Sequence, residues 1–343
     1  MVVATGARSA NAGFAPVKKR GERPMNLRDG LESFRGTARG NARIPGLALH
    51  PKRRRAVRNF VTGWAFLLPA FALLAVFQLI PAVLAVALSF TDYHATDSPT
   101  FTGLANYARL LEDRYFLTAL RNSLIYLLVT PVIIVFSLAA ALLVNREIRG
   151  IRFFRAAYYL PVVTPVVATA IVWRFLFASP DGLLNGLWMS LPFVKQPLHF
   201  LTSSTLALPS VMSVELWKGV GYYMVIFLAG LRAIPSELHD AARVDGASAW
   251  QETVRVTIPQ LRPSLTFVAV ISGMAALKAF DLPFVMTGGG PAHSSETLVM
   301  RIYTEAFEYL NIGYAATQGV ILLLVTMGLS YINLRLMEGG GVE

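Results

Sequence analysis

Long apolar runs without a single charge set the pattern of this chain. No Asp, Glu, Lys or Arg occurs from Phe60 to Phe90, from Asn122 to Asn145 or from Tyr309 to Leu334. About 20 mostly apolar residues are needed for a helix to cross bilayer hydrocarbon, so each run is long enough for one crossing. Ala156 to Trp173 is a fourth uncharged run, with Pro161 and Pro165 inside it and Arg174 just beyond. Proline is tolerated in membrane helices because neighbours re-satisfy the carbonyls it frees. Two further segments qualify apart from their charges: Leu206 to Leu231 carries Glu215 and Lys218, and Ser264 to Met286 carries Lys278 and Asp281. The pattern predicts an all-α, polytopic membrane protein. Its six transmembrane helices fall at about 61–90, 122–145, 156–178, 206–231, 264–286 and 311–335, in one domain of residues 60–338.

Composition agrees. Only 15% of the 343 residues are charged and 55% are hydrophobic, against about 25% charged and 45 to 50% apolar in soluble domains, which argues against a soluble enzyme. The net charge of +11 raises nucleic acid as a partner, but residues 1–60 hold 14 Lys/Arg and 3 acids, so the whole excess sits there. That Gly/Ala/Arg-rich stretch contains Lys18, Lys19, Arg20 and the run Lys52, Arg53, Arg54, Arg55 and shows no apolar periodicity. Residues 1–59 therefore read as a disordered basic tail lying on anionic membrane lipid. Only two aromatics, Phe14 and Phe34, fall among these charges, too few for the stacking platform that nucleic-acid binding uses. A signal peptide has only a short charged region before its apolar stretch, so the tail is not one; Met25 offers an alternative start that would leave residues 1–24 untranslated.

Six crossings put both termini on one side, and Lys/Arg bias says which. The side holding the tail, Arg146, Arg149, Arg152, Arg155, Arg232, Arg243, Arg255, Arg262 and Arg335 has 23 basic residues. The other side has 5: Arg109, Arg114, Arg121, Lys195 and Arg301. The termini and the loop from Arg232 to Pro263 are thus expected in the cytoplasm, in a multi-pass cell (inner) membrane protein.

Catalytic signatures are missing. No lysine precedes Ser or Thr, so a phosphate-cradling G-x-x-x-x-G-K-[ST] loop is excluded. The five histidines lie at least 40 residues apart, there is no H-E-x-x-H or G-x-S-x-G, and without cysteine there is no thiol nucleophile or Cys-ligated metal. No metal site, resident cofactor or catalytic residue is expected.

The loop after Arg232 is the informative segment. Pro235 suits a first helical turn, and Glu237 and Asp240 lie near the positive end of that helix's dipole. Asp245-Gly246 should end it, since glycine accepts the left-handed C′ conformation. Ser248 with Gln251 forms a capping box that starts a second helix, closed by Pro259. Small residues Ala241, Ala242, Gly246, Ala247 and Ala249 let another protein's surface approach closely; a plain re-entrant connection between crossings four and five is the other reading. In the crossings, Glu215/Lys218 and Lys278/Asp281 are i,i+3 pairs at matching depths, able to neutralise one another and to meet across helices. Intramembrane charges mark a solute path by default, and a structural ion-pair cluster is the other reading.

Asp240-Ala241-Ala242, Asp245-Gly246-Ala247 and Ile258-Pro259 resemble the "EAA" loop of binding-protein-dependent ABC importer permeases, with Asp for the leading Glu. Gly63-Trp64 with Leu67-Leu68-Pro69, Ser89-Phe90-Thr91-Asp92, Gly103-Leu104-Ala105-Asn106-Tyr107, Phe154-Arg155 with Leu160-Pro161, and Thr287-Gly288-Gly289-Gly290-Pro291 extend the likeness over residues 60–338. Together they resemble the carbohydrate-uptake branch, the maltose and glycerol-phosphate type. The resemblance implies a second, similar permease subunit, a separate ABC ATPase dimer that binds ATP and Mg, and an extracytoplasmic solute-binding protein. It implies that the loop docks on the ATPase, and that polar and aromatic positions of crossings four and five line the path: Glu215, Lys218, Gly219, Tyr222, Lys278, Ala279 and Asp281. It also implies a sugar or sugar-like solute, without saying which. The rival is a secondary transporter, for which inverted repeats and matched interrupted helices are the mark; no clear repeat is visible.

Overall fold

The computed structural model describes residues 51–145, 150–194 and 196–338, with side chains from 59 to 335. Most of the expected basic tail, and Arg146, Arg149 and Lys195 of the charge count, lie outside the described residues. The chain divides into two units, residues 1–69 and 70–343. Helix α1 (Pro51–Leu74) starts inside the stretch assigned to the tail and passes through a π-turn, Ala75–Leu79, into α2 (Ile80–Leu88). Its apolar side chains are largely exposed, as lipid-facing or partner-facing residues would be.

In the second unit, a two-residue antiparallel pair, β1 (Thr91–Asp92) with β2 (Thr100–Phe101), precedes α3 (Ala105–Glu112). The second crossing begins at Arg114, earlier than expected, because Asp113 caps α4 (Arg114–Tyr126) by accepting from the Tyr115 and Phe116 amides. It continues as α5 (Val129–Val144). Helix α5 packs along α9 (Ala207–Arg232) in the most extensive interface. Ile133, Ala141, Val211, Val214 and Phe227 are almost wholly buried there.

The third crossing is not a continuous helix. It is α6 (Ile151–Val163) and α7 (Val166–Leu176), bent by 96°. At 1.5 Å per residue neither half crosses about 30 Å of hydrocarbon alone. The cause is Pro165, which pushes the residue before it out of helical geometry; Thr164 has ψ 136°. A short α8 (Leu183–Met189) follows. Helix α6 crosses α9 at Gly221, where a Cβ would lie 2.0 Å from the Tyr158 carbonyl oxygen, so no other residue permits this approach.

The fifth crossing is a single span, Arg262–Thr287, as expected, but its helix is locally interrupted. It is α13 (Arg262–Leu277) and α14 (Asp281–Thr287), interrupted from Lys278 to Phe280. Helices α14 and α7, the second halves of the two broken crossings, pack together. Beyond the Gly-rich turn come α15 (Leu298–Tyr303), a π-turn Thr304–Glu308, and α16 (Ile312–Glu338), the last crossing.

Candidate functional site

The two helix breaks have one chemistry. A proline lacks the N–H that would bond the carbonyl four residues earlier. Pro165 frees the Pro161 carbonyl and Pro283 frees that of Ala279. The Thr164 hydroxyl donates to the Pro161 carbonyl at 2.6 Å, and each break is also served by a side chain from elsewhere. Lys218 on α9 donates its ammonium to the carbonyl oxygens of Pro161 (2.9 Å), Val162 (3.4 Å) and Thr164 (2.7 Å). Thr297 Oγ1 donates to the Ala279 carbonyl at 2.7 Å.

A polar cavity of about 190 Å³ opens at the second break, lined by Tyr126, Glu215, Lys278, Ala279, Phe280 and Asp281 among others. Four expected path residues, Glu215, Lys278, Ala279 and Asp281, thus converge. Lys218 does not line this cavity but braces the first break. Gly219 faces Ile133 of α5, and Tyr222 stacks edge-on against Tyr223, their ring centroids 5.1 Å apart. The expected charge pairing is corrected too: among the described residues, no ion pair within 4.0 Å joins Glu215 to Lys218 or Lys278 to Asp281. For the second pair the reason is local, since the helix is interrupted between the two residues. Tyr126, Phe280 and Thr297 were not singled out from the sequence.

The loop after α9 is built as its residues dictate. Pro235 is the N-cap of α10 (Ser236–Val244), one position before the expected first turn, and Glu237 lies in that turn. Gly246 holds φ +78°. Around it the Gly246 amide bonds the Arg243 carbonyl and the Ala247 amide bonds that of Ala242, the pair of bonds that closes a Schellman end. Ser248 and Gln251 form the capping box of α11 (Ala249–Glu252). The helical run goes on past α11 and ends at Gln260, one residue beyond Pro259. A π-turn, Thr253–Thr257, leads from α11 into α12 (Ile258–Gln260), which contains Pro259.

His239 Nδ1 and Glu252 Oε1 lie 2.8 Å apart, and Arg243 reaches the same carboxylate at 3.7 Å and Asp240 at 3.5 Å. This clasp fixes α10 against α11. Glu237, Asp240, Ala241, Asp245 and Gly246 are exposed and Ala242 and Ala247 partly so, while Val244 (88%) and Trp250 (76%) stand out as apolar projections. Glu252→Ala is expected to remove about 1 kcal/mol of support between the two helices and to speed amide exchange in α10 without changing membrane insertion. Unchanged exchange would show that the clasp holds nothing.

Residues 133–337, spanning the cavity's α9 and α13 walls and the whole loop, match the family described as binding-protein-dependent transport system inner membrane component. The probable ABC transporter permease protein YurN of Bacillus subtilis is 33% identical over 83% of this chain and 99% of its own length. The diacetylchitobiose uptake system permease protein NgcF of Streptomyces coelicolor is 33% identical over 85% of this chain and 88% of its own. Among solved structures, a bacterial ABC transporter involved in import of the acidic polysaccharide alginate has a chain that superposes with a TM-score of 0.72. That match covers 84% of this chain and 98% of the other at 20% identity, a likeness of fold. The chain belongs to the binding-protein-dependent transport system inner membrane components, as a multi-pass membrane permease subunit of an ABC transporter.

Proposed function

We propose that this subunit moves a sugar or sugar-like solute, of the oligosaccharide, polyol or glycerol-phosphate class, inward by alternating access. The cavity at the interrupted fifth crossing carries the reading. It gathers a carboxylate, an ammonium, a second carboxylate and a tyrosine at membrane depth, where such groups are costly unless they serve a path. The sugar class is supported by the diacetylchitobiose relative. Termini and loop face the cytoplasm in this reading, as the Lys/Arg bias supports. The glycine-elbow loop docks on a separate ABC ATPase dimer, which binds ATP and Mg. A second, similar permease subunit completes the path, and an extracytoplasmic binding protein delivers the solute.

Cysteine at position 215 or 278 tests the path, and the native chain has no cysteine to interfere. Both are expected to react with a membrane-impermeant maleimide in at least one nucleotide state and to be protected by the binding protein's own solute. No labelling in any state would return these charges to a dry structural cluster. Interrupted crossings are also a mark of secondary transporters; solute uptake into proteoliposomes lacking the ATPase would favour that rival, and none is expected.

A further inference from the structure

A second polar cavity, about 590 Å³, lies at the other end of α4, between α3, α4 and the segment leading into α16. The lysine and arginine bias puts this end outside the cell. We propose that it is an outer subsite for a neutral sugar ring, occupied before solute reaches the cavity at Glu215 and Lys278; this rests on the sugar-importer reading above.

Its walls are fixed in advance. Asp113 accepts from the amides of Tyr115 (2.8 Å) and Phe116 (3.2 Å) and from the Tyr314 hydroxyl (2.7 Å). Burial pushes its carboxyl up, but these bonds and the Arg301 charge outweigh burial and hold it below the usual range. Arg301 is 5% exposed, is bound to Glu305, and lies 5.2 Å from the Tyr115 ring centroid and 5.7 Å from that of Tyr309.

The rim, by contrast, is left open. Arg109 sits 4.1 Å over the Tyr314 ring. Among the described residues, neither it nor Glu112 has an ion-pair partner within 4.0 Å. A guanidinium and a carboxylate three residues apart on α3, lining one cavity, supply the donor and the acceptor that vicinal hydroxyls need. The rings of Tyr115 (52% exposed) and Tyr309 (60% exposed) offer flat apolar faces with a polar tip, suited to the C–H face of a sugar. The volume falls within the range of small-ligand sites. Two guanidiniums face three carboxylates, those of Glu112, Asp113 and Glu305, so an anion gains little and a neutral ring is favoured. Tyr115 and Tyr126, one in each cavity, lie on the same helix about 17 Å apart by its rise. Both cavities thus lie along one rod.

The test uses the full transporter in nanodiscs without the binding protein, probed with maltose, lactose and N,N′-diacetylchitobiose by saturation-transfer NMR. At least one disaccharide is expected to bind. Arg109→Ala and Tyr309→Ala should each weaken it by about tenfold, the loss of one charge-assisted or stacking contact, with unchanged elution of the assembled complex. Glu215→Gln should leave this outer binding in place. Equal binding by wild type and both rim variants overturns the outer subsite while leaving the sugar reading intact. So does equal binding combined with a higher need for binding protein in Arg109→Ala, which would make the rim a receptor contact. If wild type binds none of the three, the outer subsite fails; if it also moves none of them, the oligosaccharide part of the reading fails with it.

Discussion

Gly246→Asp is expected to yield a permease that inserts in the membrane but no longer couples to its ATPase: the complex falls apart on purification, or hydrolyses ATP without moving solute. Two physical effects contribute, and the structure separates them. The backbone at 246 has φ +78°, a conformation that costs an L-residue about 1 to 2 kcal/mol. A Cβ there would meet nothing of the chain itself within 4 Å, so no internal clash is added. Bulk and charge at this position therefore act on whatever docks against the loop. Gly246→Asn isolates the charge, because asparagine enters the left-handed region more readily than other side-chain-bearing residues and is nearly the same size as aspartate. Asp is expected to be the more damaging of the two. Co-purification of Gly246→Asp with the ATPase at normal yield and normal transport would refute the docking assignment.

Lys218→Met is expected to have the second large effect, on stability rather than on docking. It keeps the stem and removes the ammonium that serves the carbonyls of Pro161, Val162 and Thr164. The Pro161 carbonyl keeps the Thr164 hydroxyl, 2.6 Å away, but those of Val162 and Thr164 lose their donor; a polar group left unpaired away from water costs on the order of 1 to 3 kcal/mol, and in a bilayer the chain has few other donors to offer. The 96° bend between α6 and α7 should lose definition, seen as a lower melting temperature in detergent and new protease cutting near Thr164. Lys218→Arg should restore most of the stability. A Lys218→Met protein that melts normally yet fails to transport would make Lys218 a solute contact and not a brace.

The apolar runs placed the crossings because hydrocarbon imposes a length and a composition that a single sequence displays openly. The loop was equally legible: a left-handed glycine and a Ser/Gln capping box are local devices, written within a few neighbouring residues, and both are in place. What could not be read from apolar pattern was continuity. Ala156 to Trp173 is as apolar as an unbroken span, yet Thr164 leaves the helix before Pro165. The signal was present in spacing, since Pro161 and Pro165, like Ala279 and Pro283, stand four apart. One donor to the freed carbonyls, the Thr164 hydroxyl, is local; Lys218 and Thr297 are remote in sequence, and only the folded chain brings them there. The same holds for Lys278 and Asp281, whose separation of three residues implied a shared helix face that the interruption removes.

The clasped loop is joined directly to both walls of the inner cavity. Glu215 lies 17 residues before Arg232 at the end of α9, and Lys278 lies 16 residues after Arg262 at the start of α13. At 1.5 Å per residue these are two lever arms of about 26 and 24 Å, nearly matched. Because His239, Arg243 and Glu252 tie the short helices between them, a push on the loop is delivered to both arms at once. A tilt of about 10° about the loop end of either arm would carry its charged residue roughly 4 Å sideways. Beside a cavity of about 190 Å³, that travel is enough to change which groups face one another while every helix stays intact.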